Sequence, residues 1–171
     1  MNARLPKALY LLLAISAGAY FRHYYPLLSQ VMASHFDARG IPNGWSSKQA
    51  FFGIFAGMTL LAAVLVFGVP KIIAFTPRQL INLPNKEYWL SPEQRAASME
   101  FLSGWFAWFG FAVYAVIVVA FDYAVQNNLQ ASAGPNPIRL WLMLAFLGVF
   151  TVVWTIRLFG RFGRVPRKSA S

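Results

Sequence analysis

Four apolar runs, each bounded by charged or turn-forming residues, divide the chain. Ala50–Pro70 and Phe101–Phe121 are each 21 residues without a charged side chain, and Leu140–Ile156 is 17, flanked by Arg139 and Arg157. A helix needs roughly 20 residues to cross about 30 Å of hydrocarbon. Each run is long enough, the last because arginine stems let the guanidinium reach the interface. The first run, Ala8–Phe21, has 14 uncharged residues and lengthens to Leu5–Tyr25 when Lys7 and Arg22 snorkel in the same way. Arg4 and Lys7 ahead of it, with Ala17-Gly18-Ala19 near its end, also fit a secretory leader; the anchor is the reading carried forward. The pattern predicts an all-α integral membrane protein forming one domain over 1–171. It would be a four-transmembrane-helix bundle with spans at 5–25, 50–70, 101–121 and 140–156.

Helix starts are marked locally. A Ser followed three residues later by Gln satisfies amides at a helix N-terminus, and Ser46…Gln49 and Ser91…Gln94 precede the second and third spans. Pro92 suits a first helical position and Glu93 an acidic first turn. A helix from Pro92 to Phe121 would be 30 residues, roughly 45 Å and longer than the hydrocarbon is thick.

Composition agrees with a membrane setting and charge adds a direction. The chain of 171 residues is 58% hydrophobic and 12% charged, about half the charge of a soluble domain. Lys and Arg number 15 against 5 Asp and Glu. Basic residues are retained on the cytoplasmic side; with four spans and both termini cytoplasmic, 11 fall inside and 4 outside. Loop 26–49 would then be extracytoplasmic, and loop 71–100 and the basic tail 157–171 cytoplasmic. Tyr20, Tyr24, Tyr25, Trp45, Tyr123 and Trp141 would form an outer aromatic belt; Tyr10, Tyr88, Trp89, Trp105, Trp108 and Trp154 an inner one. In the tail Arg157, Arg161, Arg164, Arg167 and Lys168 read as lipid-headgroup ligands, each contributing about 1 kcal/mol beside an anionic leaflet. In so apolar a chain the basic excess reads as orientation, not as nucleic-acid binding.

Candidate chemistry concentrates in loop 26–49. His35, Phe36, Asp37, Arg39, Trp45 and Lys48 lie among Gly40, Pro42, Asn43 and Gly44. Gly40 and Gly44 allow positive φ and Asn43-Gly44 is a strong turn dipeptide, so a fixed loop could hold these groups together at the membrane surface. They would recognise a partner, or they would cap the helix ends, with Asp37 paired to a base and His35 bonded to backbone. His35 and Asp37 are two ligands where zinc needs three or four, and there is no cysteine; no metal or cofactor is expected. Nor is an enzyme or coupled transporter, since the uncharged stretches of spans two to four hold no ionisable group. The second loop, around Tyr88 and Trp89, reads as a re-entry segment on the inner surface or a docking site. Gly53 and Gly57 leave a homodimer open.

The run Pro26…His35-Phe36-Asp37-Ala38-Arg39-Gly40-x-Pro42-x-Gly44-Trp45-x-Ser47-Lys48, followed by Pro84-Asn85-Lys86-Glu87-Tyr88-Trp89-Leu90, resembles a small bacterial membrane-domain family of unknown function. That family also forms the N-terminal part of SdpI-type toxin-immunity and signal-transduction proteins. The resemblance, over Pro26–Leu90, implies an integral helical domain of the bacterial inner membrane and a role in envelope immunity or signalling, exercised through the outer loop. The alternative is an accessory subunit of a larger membrane complex.

The basic asymmetry sets a topology test. Single cysteines at Asn43 and Asn128 should react with an impermeant thiol reagent on intact cells, and one at Gln79 should not; the reverse pattern would invert the orientation.

Overall fold

The computed structural model describes residues 3–129 and 137–165. Helix α1, Arg4–Tyr24, fills the first predicted segment and runs into a 3-10 turn at Tyr25–Leu27, where Pro26 fixes the backbone. Strands β1, Val31–Phe36, and β2, Pro42–Ser47, follow as an antiparallel hairpin. The expectation of an all-α chain with an irregular loop 26–49 is corrected here. Beyond the hairpin the chain is mostly helical: α2 is Lys48–Ala63, α3 Val69–Phe75, α4 Lys86–Trp89, α5 Arg95–Leu129 and α6 Ile138–Phe162.

The second predicted span was to stop at Pro70, but the helix continues through it. Proline lacks an N–H and its ring collides with the carbonyl four residues back. The chain avoids the collision with a π turn at Val64–Gly68, in which the Val69 N–H donates to the Val64 carbonyl, five residues back. Helices α2 and α3 thereby make one rod, Lys48–Phe75, of 28 residues. It ends where Pro77 forces Thr76 into an extended conformation.

The third predicted span, 101–121, lies inside the longer α5. That helix begins at Arg95, with Pro92–Gln94 in a preceding turn, and passes Phe121 by eight residues, since the segment to Leu129 has neither Gly nor Pro to stop it. Its 35 residues make a rod of roughly 52 Å, whose outer end carries the polar side chains of Asp122, Gln126 and Asn128. Three helices are long and apolar enough to cross a membrane: Lys48–Phe75, Arg95–Leu129 and Ile138–Phe162. Helix α1, with Arg4, Lys7, Arg22 and His23, is not one of them, so three such helices stand where four were expected.

Helix α5 contributes to every part of the core. At one end Phe21 of α1, Phe51 and Phe55 of α2 and Met32 of β1 pack with its Phe121, Ala124 and Val125; the Phe55 and Phe121 ring centroids are 5.0 Å apart. Midway, Tyr10, Ala62 and Val66 meet Ala107 and Tyr114. Tyr10, expected in an interfacial belt, is buried there and donates its hydroxyl to the Thr59 carbonyl at 2.6 Å. At the other end Trp89 and Phe162 close on Leu102.

Gly110 of α5 faces the π turn so closely that a Cβ would lie 2.8 Å from Val66 Cγ2 and 3.1 Å from the Val66 backbone nitrogen. Gly110→Val should therefore lower the unfolding free energy by about 1 to 3 kcal/mol. Gly148→Ala on α6, with nothing within 4 Å, should change it by no more than about 0.5 kcal/mol. Thermal denaturation of the two variants in the same detergent checks the difference.

Candidate functional site

The hairpin turn is built by Asp37. Its backbone N–H donates to the Ile41 carbonyl, and its Oδ1 accepts the N–H groups of Arg39 and Ile41, all at 2.9 Å. Gly40 closes the turn with φ of 81°, a conformation in which a Cβ is strained. The Arg39 guanidinium lies 3.3 Å from Asp37 Oδ2. The Ile41 N–H does most to hold the Asp37 carboxyl below its ordinary pKa; desolvation opposes it, and the Arg39 N–H and guanidinium add to it.

Asn43-Gly44, read as a turn, lies instead within β2, and Gly44 does not adopt positive φ. Gly44 faces His35 across an irregular stretch of the ladder, where a Cβ would come within 3.0 Å of the His35 Cβ. Close approach is what requires glycine there.

Long-range side-chain contacts fix the hairpin to the helices. Lys48, 6% exposed, donates from Nζ to the carbonyls of Tyr25 at 3.2 Å and Leu28 at 3.0 Å, and lies 4.5 Å from the Tyr25 ring centroid. Asn128 of α5 accepts the Ala33 N–H and donates to the Ala33 carbonyl, both at 2.9 Å, so one side-chain amide stands in for a neighbouring strand. The Trp141 indole of α6 donates to the Ala38 carbonyl at 3.1 Å, and Phe36 sets its ring 5.3 Å from that of Tyr123. Beside this seat Asp122 accepts the Tyr20 hydroxyl at 2.5 Å and faces Arg139 at 3.9 Å, joining α1, α5 and α6. The cap of α2 falls on Ser47, which accepts the Ala50 N–H, and not on Ser46 with Gln49 as expected.

The six candidate residues separate accordingly. Asp37 and Arg39 meet at the tip. His35 is exposed on β1, its Nδ1 3.1 Å from the hydroxyl of Ser34 rather than on backbone. Phe36 turns onto α5, Trp45 is 63% exposed on β2, and Lys48 is buried at the hairpin base. Of the basic set, Arg157 and Arg161 belong to α6, with Arg161 laid over the Phe101 ring at 4.2 Å; Arg164 follows the helix. Arg167 and Lys168 lie outside the described residues. No group of three His, Asp or Glu able to hold a metal occurs among the described residues.

The second motif holds the end of α6. Asn85, at φ of 51°, donates its side-chain amide to the Phe162 carbonyl at 2.9 Å, and the Trp89 indole donates to the same oxygen at 3.1 Å. Neither Asn85 nor Asn128 stood out in the sequence as an anchor. Because Asn128 clamps the hairpin, a cysteine there perturbs what it reports on, and Asn43, exposed on β2, is the cleaner outer reporter.

Residues 11–60 match a family described as a domain of unknown function, DUF1648. No curated protein and no solved structure matches the chain. The matched segment takes in most of α1, the whole hairpin and most of α2, and leaves out the Asn85–Trp89 motif.

A carboxyl held below its ordinary pKa stabilises the fold above that ordinary value, and the contribution disappears as pH falls through the lowered one. Wild-type protein should thus lose turn stability below about pH 4, and Asp37→Asn, which keeps an acceptor oxygen but no charge, should lose less. Melting curves taken down the acid range compare them; superimposable pH profiles would remove the Asp37 charge from the turn's stability.

Proposed function

We propose that the chain is a non-enzymatic, four-span protein of the bacterial inner membrane with both termini cytoplasmic, whose outer hairpin recognises a partner in envelope immunity or signalling. The observation that supports this best is a hairpin fixed at its base, edge and tip that leaves Arg39, Trp45 and Ile41 exposed, Trp45 at 63% and Ile41 at 47%. A surface already ordered loses little further freedom on binding, and Trp and Arg are the side chains that most often dominate protein interfaces. Helix α1 as a further span is supported by its 21 residues and by its basic ends, Arg4 and Lys7 at one and Arg22 and His23 at the other. The SdpI-type resemblance gives the immunity or signalling class.

A second reading, an accessory subunit of a larger complex, draws on α6. It packs on α5 along one side and leaves Leu142, Phe146, Val149 and Ile156 more than half exposed. Native mass spectrometry after mild-detergent purification separates the two: stoichiometric larger subunits favour the accessory role, a monomer or homodimer the first reading.

The recognition reading has its own test. Arg39→Ala and Trp45→Ala should abolish the protection or response that a deletion strain lacks, with stability held to within about 1 kcal/mol, because exposed charges and surface side chains contribute little to folding. Lys48→Met leaves the Tyr25 and Leu28 carbonyls without their donor and should cost about 1 to 3 kcal/mol, lowering stability and phenotype together. Full phenotype in the Arg39 and Trp45 variants would end the recognition reading.

A further inference from the structure

A groove of about 230 Å³ runs between α5 and α6, walled by Trp105, Trp108, Phe150, Val153 and Trp154, with Arg157 also on its lining. Its back is rigid. Trp105 stacks between Phe101, 5.1 Å away at 19°, and Trp154, 5.9 Å away at 20°, and the Trp154 indole donates to the Trp105 carbonyl at 3.1 Å. Trp105 is only 8% exposed, and its indole N–H has no acceptor among the described residues. Buried indole donors ordinarily have a partner, so this one points to an acceptor supplied from outside the chain.

The charge at the groove is also unmatched. Arg161 lies over Phe101, whereas Arg157 is exposed and pairs with no carboxylate among the described residues. An aromatic trough on a helix pair apolar enough to cross a membrane, with a free guanidinium and an orphaned donor, fits an amphiphile with an acyl chain and an anionic, oxygen-rich head.

We propose that the α5–α6 groove binds one anionic phospholipid, its phosphate on Arg157, an ester or phosphate oxygen on the Trp105 N–H, and an acyl chain over Trp108, Phe150 and Val153. This rests on the reading of the chain as a membrane protein. Guanidinium is the side chain best matched to phosphate, through two parallel hydrogen bonds. A zwitterionic head would bring its own ammonium towards Arg157, Arg161 and Arg164, so the anionic lipid is the better match. The site is a single built groove, distinct from general attraction between a basic tail and a charged leaflet.

The test uses the full chain reconstituted in phosphatidylcholine vesicles containing a minor fraction of phosphatidylglycerol, extracted into mild detergent and weighed by native mass spectrometry while phosphatidylglycerol is titrated. One phosphatidylglycerol per chain should be retained, saturably and in preference to phosphatidylcholine. Arg157→Gln should raise the half-saturating concentration about fivefold, the factor one basic side chain contributes beside an anionic head. Val153→Trp, which fills the groove from its exposed side, should abolish retention, and Trp105→Phe, which keeps the stack but removes the N–H, should weaken it. Arg164→Gln, off the groove, should leave it unchanged, and matched melting temperatures confirm that the variants fold. Retention without saturation, equal retention of phosphatidylcholine, parental binding by Arg157→Gln and Val153→Trp, or a dimer that Val153→Trp dissociates would each overturn the proposal. A chain that fails to enter vesicles fails the membrane reading itself; an inserted chain without saturable retention fails the groove alone.

Discussion

A backbone amide or carbonyl that leaves a helix or strand in apolar surroundings has no water to bond, and an unpaired one costs several kcal/mol. In this chain those groups are met by side chains distant in sequence. Lys48 takes the carbonyls of Tyr25 and Leu28, Asn128 takes both backbone groups of Ala33, Asn85 and Trp89 share the Phe162 carbonyl, and Trp141 takes that of Ala38. Hydrophobic contact is nearly isotropic and holds helices side by side without fixing their depth. These bonds supply the missing coordinate, because each ties one identified backbone group to one identified side chain.

Helix α5 makes the arrangement possible. Its 35 residues exceed what the hydrocarbon requires, and the surplus carries polar side chains beyond the apolar core. Asn128 at its outer end seats the hairpin; Ser98 near its inner end donates to the Trp89 carbonyl at 2.8 Å and helps hold the segment that closes on α6. Between them Trp105, Gly110, Tyr114 and Phe121 present in turn the α6 groove, the close approach to the π turn, the contact with Tyr10 and the aromatic cluster of α1 and α2. The hairpin thus inherits its position from the one helix that touches every part of the core.

Helix positions were legible because long uncharged runs leave few alternatives: 5–25 became Arg4–Tyr24, and 140–156 lies inside Ile138–Phe162. Boundaries moved where local signals were outweighed. Pro70 reads as a stop but is accommodated by a widened turn, and Asp122–Leu129 reads as loop although nothing in it breaks a helix. The hairpin was hidden because Pro-Asn-Gly in β2 looks like a turn, while the true turn depends on Asp37 folding back on its own backbone. For the candidate site, the sequence located the stretch and the exposed Arg39 and Trp45 but not the division of labour within it. Lys48 has the same composition signal as Arg39, and only burial against two carbonyls separates them. Asn128 is a single amide in a polar run, and its pairing with Ala33 is 95 residues long-range.

The π turn at Val64–Gly68 also bears on how this rod tolerates change in length. A turn holding one residue more than its neighbours advances everything that follows by about 100° around the axis. Loss of one residue there would restore regular winding, drive Pro70 against the carbonyl before it, and rotate Val69–Phe75 to a new azimuth while barely shortening the helix. The segment is therefore phase-locked, and a one-residue deletion would act on it as a twist.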